Sequence, residues 1–171
     1  MHESRGMIQG VRQGLLVWVL VLASGCTTPA SPTEMPAPEA SGGITGSIVD
    51  LTNAERSDAG MAALRVNNAL MQAAQIHADQ MARTGQMAHE IAGVRYPEPP
   101  DRLAAVGYRW SSFGENIAMG QTSAASVMDS WMRSSGHRAN ILNSRYREIG
   151  VGVARDSAGR PYYVQVFAAP L

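Results

Sequence analysis

The chain has no lysine, a single cysteine among 171 residues, no net charge at neutral pH and no basic run longer than one residue. Each of these scarcities removes a class of function. The 14 basic side chains are all arginines, scattered and balanced by 14 acids. The basic stripe that displaces counterions from phosphates is therefore missing, and a nucleic-acid partner is excluded. The lone cysteine, Cys26, cannot close an intrachain disulfide or build a multi-thiolate metal site. The longest apolar run, Leu15 to Ala23, has nine residues, too few for a helix to cross a hydrocarbon core about 30 Å thick. What remains is 45% hydrophobic residues, an ordinary globular composition, and enough length for one domain.

Arg5 and Arg12, then the short apolar run, then Ala23-Ser24-Gly25 before Cys26 read as an export signal over residues 1–25. Leu22-Ala23-Ser24-Gly25-Cys26 resembles the end of bacterial lipoprotein signals, in which the cysteine is diacylated and becomes N-terminal. It departs from that pattern in having Ala23, with the leucine one position further back. The resemblance implies palmitate on Cys26, a membrane as partner and an exported, envelope-anchored location, on an outer membrane or on the outer face of the cytoplasmic membrane. A secretory signal followed by an incidental thiol is the alternative. Residues 26–43 hold Cys26 and a linker with four prolines and one bulky apolar residue, Met35. Such a segment cannot bury enough surface to offset its ordering entropy, and it reads as a tether.

Residues 44–171 are left as the folded domain. Ile48, Leu51 and Ala54, followed by Gly60, predict a short helix, with residues 61–66 as a connector. Asn67 and Asn68 supply an N-cap for a stronger helix that buries Leu70, Ala73, Ala74, His77 and Met81 and ends at Gly85. The prolines of residues 93–100 argue against helix there, and Asp101 is expected to cap a short helix through Ala105. Ser123 to Arg133 predicts another helix, broken by Gly136. Alternation in Ile149, Val151, Val153 and in Tyr162, Val164, Val166, about a turn at Asp156 to Gly159, predicts a terminal antiparallel hairpin. Helices around a small antiparallel sheet define an α+β class.

Three histidines lie beyond the N-terminal segment: His77, His89 and His137. His77 falls on an apolar helix stripe and reads as a packed core residue. His89, Glu115 and His137 sit in loop-like, glycine-containing surroundings that favour close backbone approach and aim side chains into a cleft. Two imidazoles and a carboxylate could bind a divalent metal such as Zn²⁺, run acid–base chemistry, or pin a loop by satisfying one another's hydrogen bonds. Arg102 and Arg138 stand near these segments without a charge cluster to single them out. Asn53 and Arg56 read as structural, the arginine tying a helix to nearby carbonyls, and Trp131 as core.

Leu51-Thr52-Asn53-Ala54-Glu55-Arg56, Met87-Ala88-His89, Gly114-Glu115-Asn116-Ile117-Ala118, Trp131 to Leu142 and Glu148 to Gly152 together resemble the CAP (SCP-like) superfamily in its bacterial branch. The resemblance implies an α-β-α sandwich with a central antiparallel sheet and an open cavity of two histidines and two glutamates. By motif, His89, Glu115 and His137 take three of these places. Ser134 stands where the eukaryotic pattern has the fourth, a glutamate, so Glu148 or Glu90 would replace it only if the fold brings one near. Asn116 joins the candidate ligand-binding residues. The resemblance implies a binding module for a divalent metal, or for a small lipid-like or envelope-derived ligand. The alternative is a metal-assisted hydrolase, peptidase-like or cell-wall-acting, that uses His89, Glu115 and His137.

Overall fold

A computed structural model describes residues 43–171; the signal, Cys26 and the linker up to residue 42 lie outside the described residues. The elements run α1 (Gly43–Asp58), β1 (Arg65–Val66), α2 (Asn68–Thr84), α3 (Pro99–Ala105), β2 (Trp110–Met119), α4 (Ala124–Arg133), α5 (Ser135–Ile141), β3 (Glu148–Arg155) and β4 (Pro161–Pro170). The sheet order is β1-β3-β4-β2. β4 pairs antiparallel with both neighbours, and the two-residue β1 lies parallel to β3.

Side chains alternate along the strands and divide the core in two. Tyr162, Val164, Val166 and Ala168 face Leu70, Ala73, Ala74 and Met81 of α2 and Leu103 of α3. Ile149, Val151, Tyr163 and Phe167 face Ile48 and Val49 of α1, Val127, Met128 and Trp131 of α4, and Ile141 of α5. The architecture is thus a three-layer α-β-α sandwich, and both clusters close within residues 44–168. Residues 43–171 therefore carry their own core.

The tightest packing is that of α2 on β3. A Cβ on Gly150 would lie 2.0 Å from the carbonyl carbon of Leu70, and one on Gly152 would lie 2.4 Å from that of Ala74. Only glycine admits the helix backbone at this range. Beyond β1, the edge of β3 is also taken by α2: Gln75 Nε2 donates to Val153 O (3.1 Å), and Val153 N–H donates to Gln75 Oε1 (3.2 Å). The opposite edge, β2, is taken by side chains as well. Tyr146 Oη donates to Phe113 O (2.9 Å), Asn140 Nδ2 to Glu115 O (3.1 Å) and Trp131 Nε1 to Ile117 O (3.0 Å).

The caps of α2 stand as expected: Asn67 Oδ1 accepts from Ala69 and Leu70 N–H, and Gly85 closes the helix. The terminal hairpin is likewise as read, as are Asn53, paired with the backbone of Leu64, and Arg56, bound to the carbonyls of Ala62, Ile141 and Asn143. Four elements differ from the sequence reading. The expected connector over residues 61–66 ends in β1, because Arg65 and Val66 pair with Glu148 and Ile149 of β3. Pro99 and Pro100 begin α3, because the first turn of a helix needs no N–H from them, and Asp101 caps from inside that turn by accepting Glu98 N–H. Gly136 lies within α5; the chain breaks instead at Ser134, whose extended backbone (ψ 119°) separates α4 from α5. Strand β2 has no counterpart in the sequence reading.

Candidate functional site

Glu115 sits near the middle of β2 and points into the α2–α3 layer. Its partners arrive from three other segments. His89, in the loop after α2, places Nδ1 2.9 Å from Glu115 Oε1. Arg102 of α3, with a side chain only 1% exposed, donates from Nη2 to Oε2 (3.0 Å) and Oε1 (3.2 Å). His77 of α2, fully buried, holds Nε2 3.6 Å from Oε1 and Nδ1 3.3 Å from Gln80 Oε1.

The electrostatics follow from this crowding. Burial alone would raise the Glu115 pKa, but the hydrogen bond from His89 and the charges of His77 and Arg102 outweigh it, and the net shift is downward. An ionised carboxylate only accepts hydrogen bonds, so His89 Nδ1 carries the proton and, in the neutral ring, Nε2 keeps its lone pair. Half of the His89 side chain is exposed. Its bond to Glu115 raises its pKa against the effect of burial, and Glu90 adds a weaker upward pull through space. Burial pushes His77 down, against the pull of Glu115. His137 is pushed down by burial and, less, by the charge of His89.

The other expected residues distribute around this centre. His137 lies in α5, and its carbonyl accepts from Asn116 Nδ2 (3.1 Å). Asn116 is fully buried on the far face of the sheet from Glu115, in a chain of bonds from Asn140 through Asn116 and Gln165 to Thr52 of α1. It holds the His137 segment and has no exposed surface for a ligand. Gly114 serves close approach: a Cβ there would lie 2.5 Å from Tyr146 Oη and 2.8 Å from Asn140 Oδ1. Ser134 stands at the α4–α5 junction, and no hydrogen bond joins its hydroxyl to the His89–Glu115 pair. Glu148 is committed elsewhere, accepting from Tyr108 Oη (2.7 Å), Asn67 Nδ2 (3.0 Å) and Arg65 Nη2 (3.1 Å). Glu90 is exposed and lines a cleft of about 410 Å³ with Ile91, Ala92, Gly93, Pro97 and Glu98.

Two members of the centre were not singled out in the sequence. Arg102 was unmarked because its partners come from positions 89, 96, 97 and 115 and not from its own helix. His77 was correctly placed in the core; what the periodicity did not reveal is that the core there ends on a buried carboxylate. Among the described residues, no three His, Cys, Asp or Glu side chains are grouped to hold a metal, and no helix is long and apolar enough to cross a membrane.

A three-layer α-β-α domain with a strand carboxylate gripped by histidine and arginine defines the class of protein. Residues 49–167 match the cysteine-rich secretory protein family, CAP, and the chain belongs to it. An uncharacterized Bacillus subtilis protein, YkwD, is 34% identical over 126 residues, 74% of this chain and 48% of that one. A Bacillus anthracis extracellular protein containing an SCP domain superposes with a TM-score of 0.67 at 28% identity, covering 73% of this chain and 40% of that one. An outer surface protein of Borrelia burgdorferi shares the fold, with a TM-score of 0.66 at 17% identity over 72% of this chain and 90% of that one. The chain thus spans about half the length, or less, of the two bacillar relatives.

Proposed function

We propose that this chain is an exported CAP-domain protein, held on the cell envelope through lipidated Cys26, whose domain takes up a divalent cation at His89 and His137. One observation carries the reading. The Nδ1–Oε1 contact of 2.9 Å engages one nitrogen of a half-exposed imidazole with a carboxylate that is already neutralised by Arg102. This leaves Nε2 of a half-exposed ring, held by its other nitrogen, with its lone pair available. A carboxylate behind a ligating histidine is the usual outer-shell arrangement of metal sites. The donor set suits a borderline ion such as Zn²⁺ held by two imidazoles and solvent, with Glu115 supporting His89 and not itself a ligand. A bound cation would supply Lewis acidity at the domain surface.

Calorimetric titration of Zn²⁺ into residues 43–171 tests this. His89→Ala is expected to abolish binding and His137→Ala to weaken it. Glu115→Gln is expected to lower affinity by about 10–100-fold, as loss of an outer-shell partner does. An absence of binding, or binding indifferent to both histidine substitutions, would refute the metal site.

The same dyad supports a second reading, since a histidine oriented by a buried carboxylate has the arrangement of a general base. If the domain is a hydrolase, activity in a peptide and cell-wall hydrolysis screen is expected to vanish in Glu115→Gln. For the anchor, Cys26→Ser is expected to end incorporation of labelled palmitate and to release the protein into the soluble exported fraction. Undiminished labelling would overturn that part of the reading.

A further inference from the structure

We infer that Arg102 is the positioning residue for His89, gripping at once the peptide carbonyl of that histidine and the carboxylate that receives its ring. Nη2 donates to His89 O (3.0 Å) and to both oxygens of Glu115 (3.2 and 3.0 Å), while Nη1 donates to Pro97 O (3.0 Å) and Tyr96 O (3.5 Å). One planar group therefore ties down the start and the end of the 89–97 excursion, a stretch with no helix or strand of its own. The guanidinium is 1% exposed and Glu115 4%, so neither is free to turn towards water.

The consequence falls on the imidazole. A loop histidine ordinarily samples many orientations and both neutral tautomers. Here the backbone of His89 and the acceptor of its Nδ1–H are both set by one rigid fork, which selects the tautomer with Nε2 unprotonated. A purely structural arginine, such as Arg56 with its three backbone carbonyls, would fix the chain without selecting a tautomer. Lysine cannot replace the fork, because a single ammonium cannot present the same divergent, coplanar donors.

This inference deepens the proposed role of His89 Nε2 and rests on it for its use, but its test does not depend on metal. Residues 43–171, labelled with ¹⁵N and free of metal, are compared as wild type, Arg102→Gln and Arg102→Lys at a pH where the His89 ring is neutral. The readout is the pair of ring nitrogen shifts. The wild type is expected to show His89 as the Nδ1–H tautomer alone, and both variants a mixture. A folded Arg102→Gln protein with the wild-type tautomer would overturn the inference. Should that variant fail to fold, Arg102→Lys decides in the same way, and failure of both to fold would assign Arg102 a structural role only. Zn²⁺ titration of the same samples separates the two claims. In the folded variants affinity is expected to fall by about 10–100-fold, whereas a wild type that binds no Zn²⁺ removes the metal reading and leaves the tautomer result to decide the role of Arg102.

Discussion

Glu115→Ala is expected to destabilise residues 43–171 by about 3–5 kcal/mol, because it leaves the Arg102 guanidinium buried without its counter-charge. The side chain of Arg102 is 1% exposed, so water cannot take over from the carboxylate. A loss of that size is a large part of the roughly 5–15 kcal/mol that holds a domain together. Urea denaturation measures it, and a variant within about 1 kcal/mol of wild type, an ordinary single-site change, would contradict the pairing. The double variant Glu115→Leu, Arg102→Met is expected to recover part of the loss, since removing both charges spares the unpaired one.

The titrating groups of this centre also give stability a pH dependence. The Glu115 carboxyl is held below its ordinary range, so its contribution is complete above the unfolded value of about 4.3 and is lost as pH falls through the folded value. His77, pushed down by burial, costs stability as pH drops below about 6.5 towards its folded pKa. His89 runs the other way: its raised pKa adds stability that is complete below about 6.5 and is lost as pH rises through the folded value. The part of the wild-type acid limb below about pH 4.3 is therefore expected to flatten in Glu115→Ala, and identical limbs in that range would count against the assignment.

Gly150→Ala is expected to cost about 3 kcal/mol or more, at or beyond the upper end of overpacking effects. The added methyl would stand 2.0 Å from Leu70 C and 2.3 Å from both Leu70 O and Met71 N. All three are backbone atoms, so no side chain can swing aside, and α2 itself must lift from β3. The natural control is Gly46→Ala in α1, where a Cβ meets nothing within 4 Å; alanine there is expected to stabilise by about 0.5–1 kcal/mol. Equal melting temperatures for the two variants would refute the helix-on-strand contact. Because α2 also carries His77, a displaced helix would disturb the carboxylate centre as well.

The parts of this fold that were legible in the sequence are those whose causes are local. Asn67 and Gly85 bracket α2, Ser123 opens α4, and alternating valines and tyrosines mark β3 and β4. Strand β2 was not legible because its central residues are polar on both faces. Glu115 enters the arginine–histidine centre on one side, and Asn116 enters the buried amide chain on the other, so no apolar alternation survives. Pro99 and Gly136 misled for a related reason: each is a breaker by type, yet stands in the first turn of a short helix, where its usual cost is small. Of the centre itself, His89 and Glu115 stand in the motifs that carry the family resemblance, while Arg102 and His77 emerged only when distant segments were brought together; His137, also in such a motif, lies beside the centre. Glu148, which could supply a second carboxylate only if the fold brought it near, instead binds three donors from other elements.

The outer carbonyls of Phe113, Glu115 and Ile117 on one flank of the sheet, and both backbone groups of Val153 on the other, are occupied by Tyr146, Asn140, Trp131 and Gln75. Exposed strand flanks are where β proteins stick together or receive a guest peptide as an extra strand. Along these stretches the domain offers no such template. Neighbouring copies cannot knit into a continuous sheet there, and a binding partner has to read side chains rather than main chain. For a domain without a single disulfide, the protection of these strand flanks is thus built from four ordinary side chains.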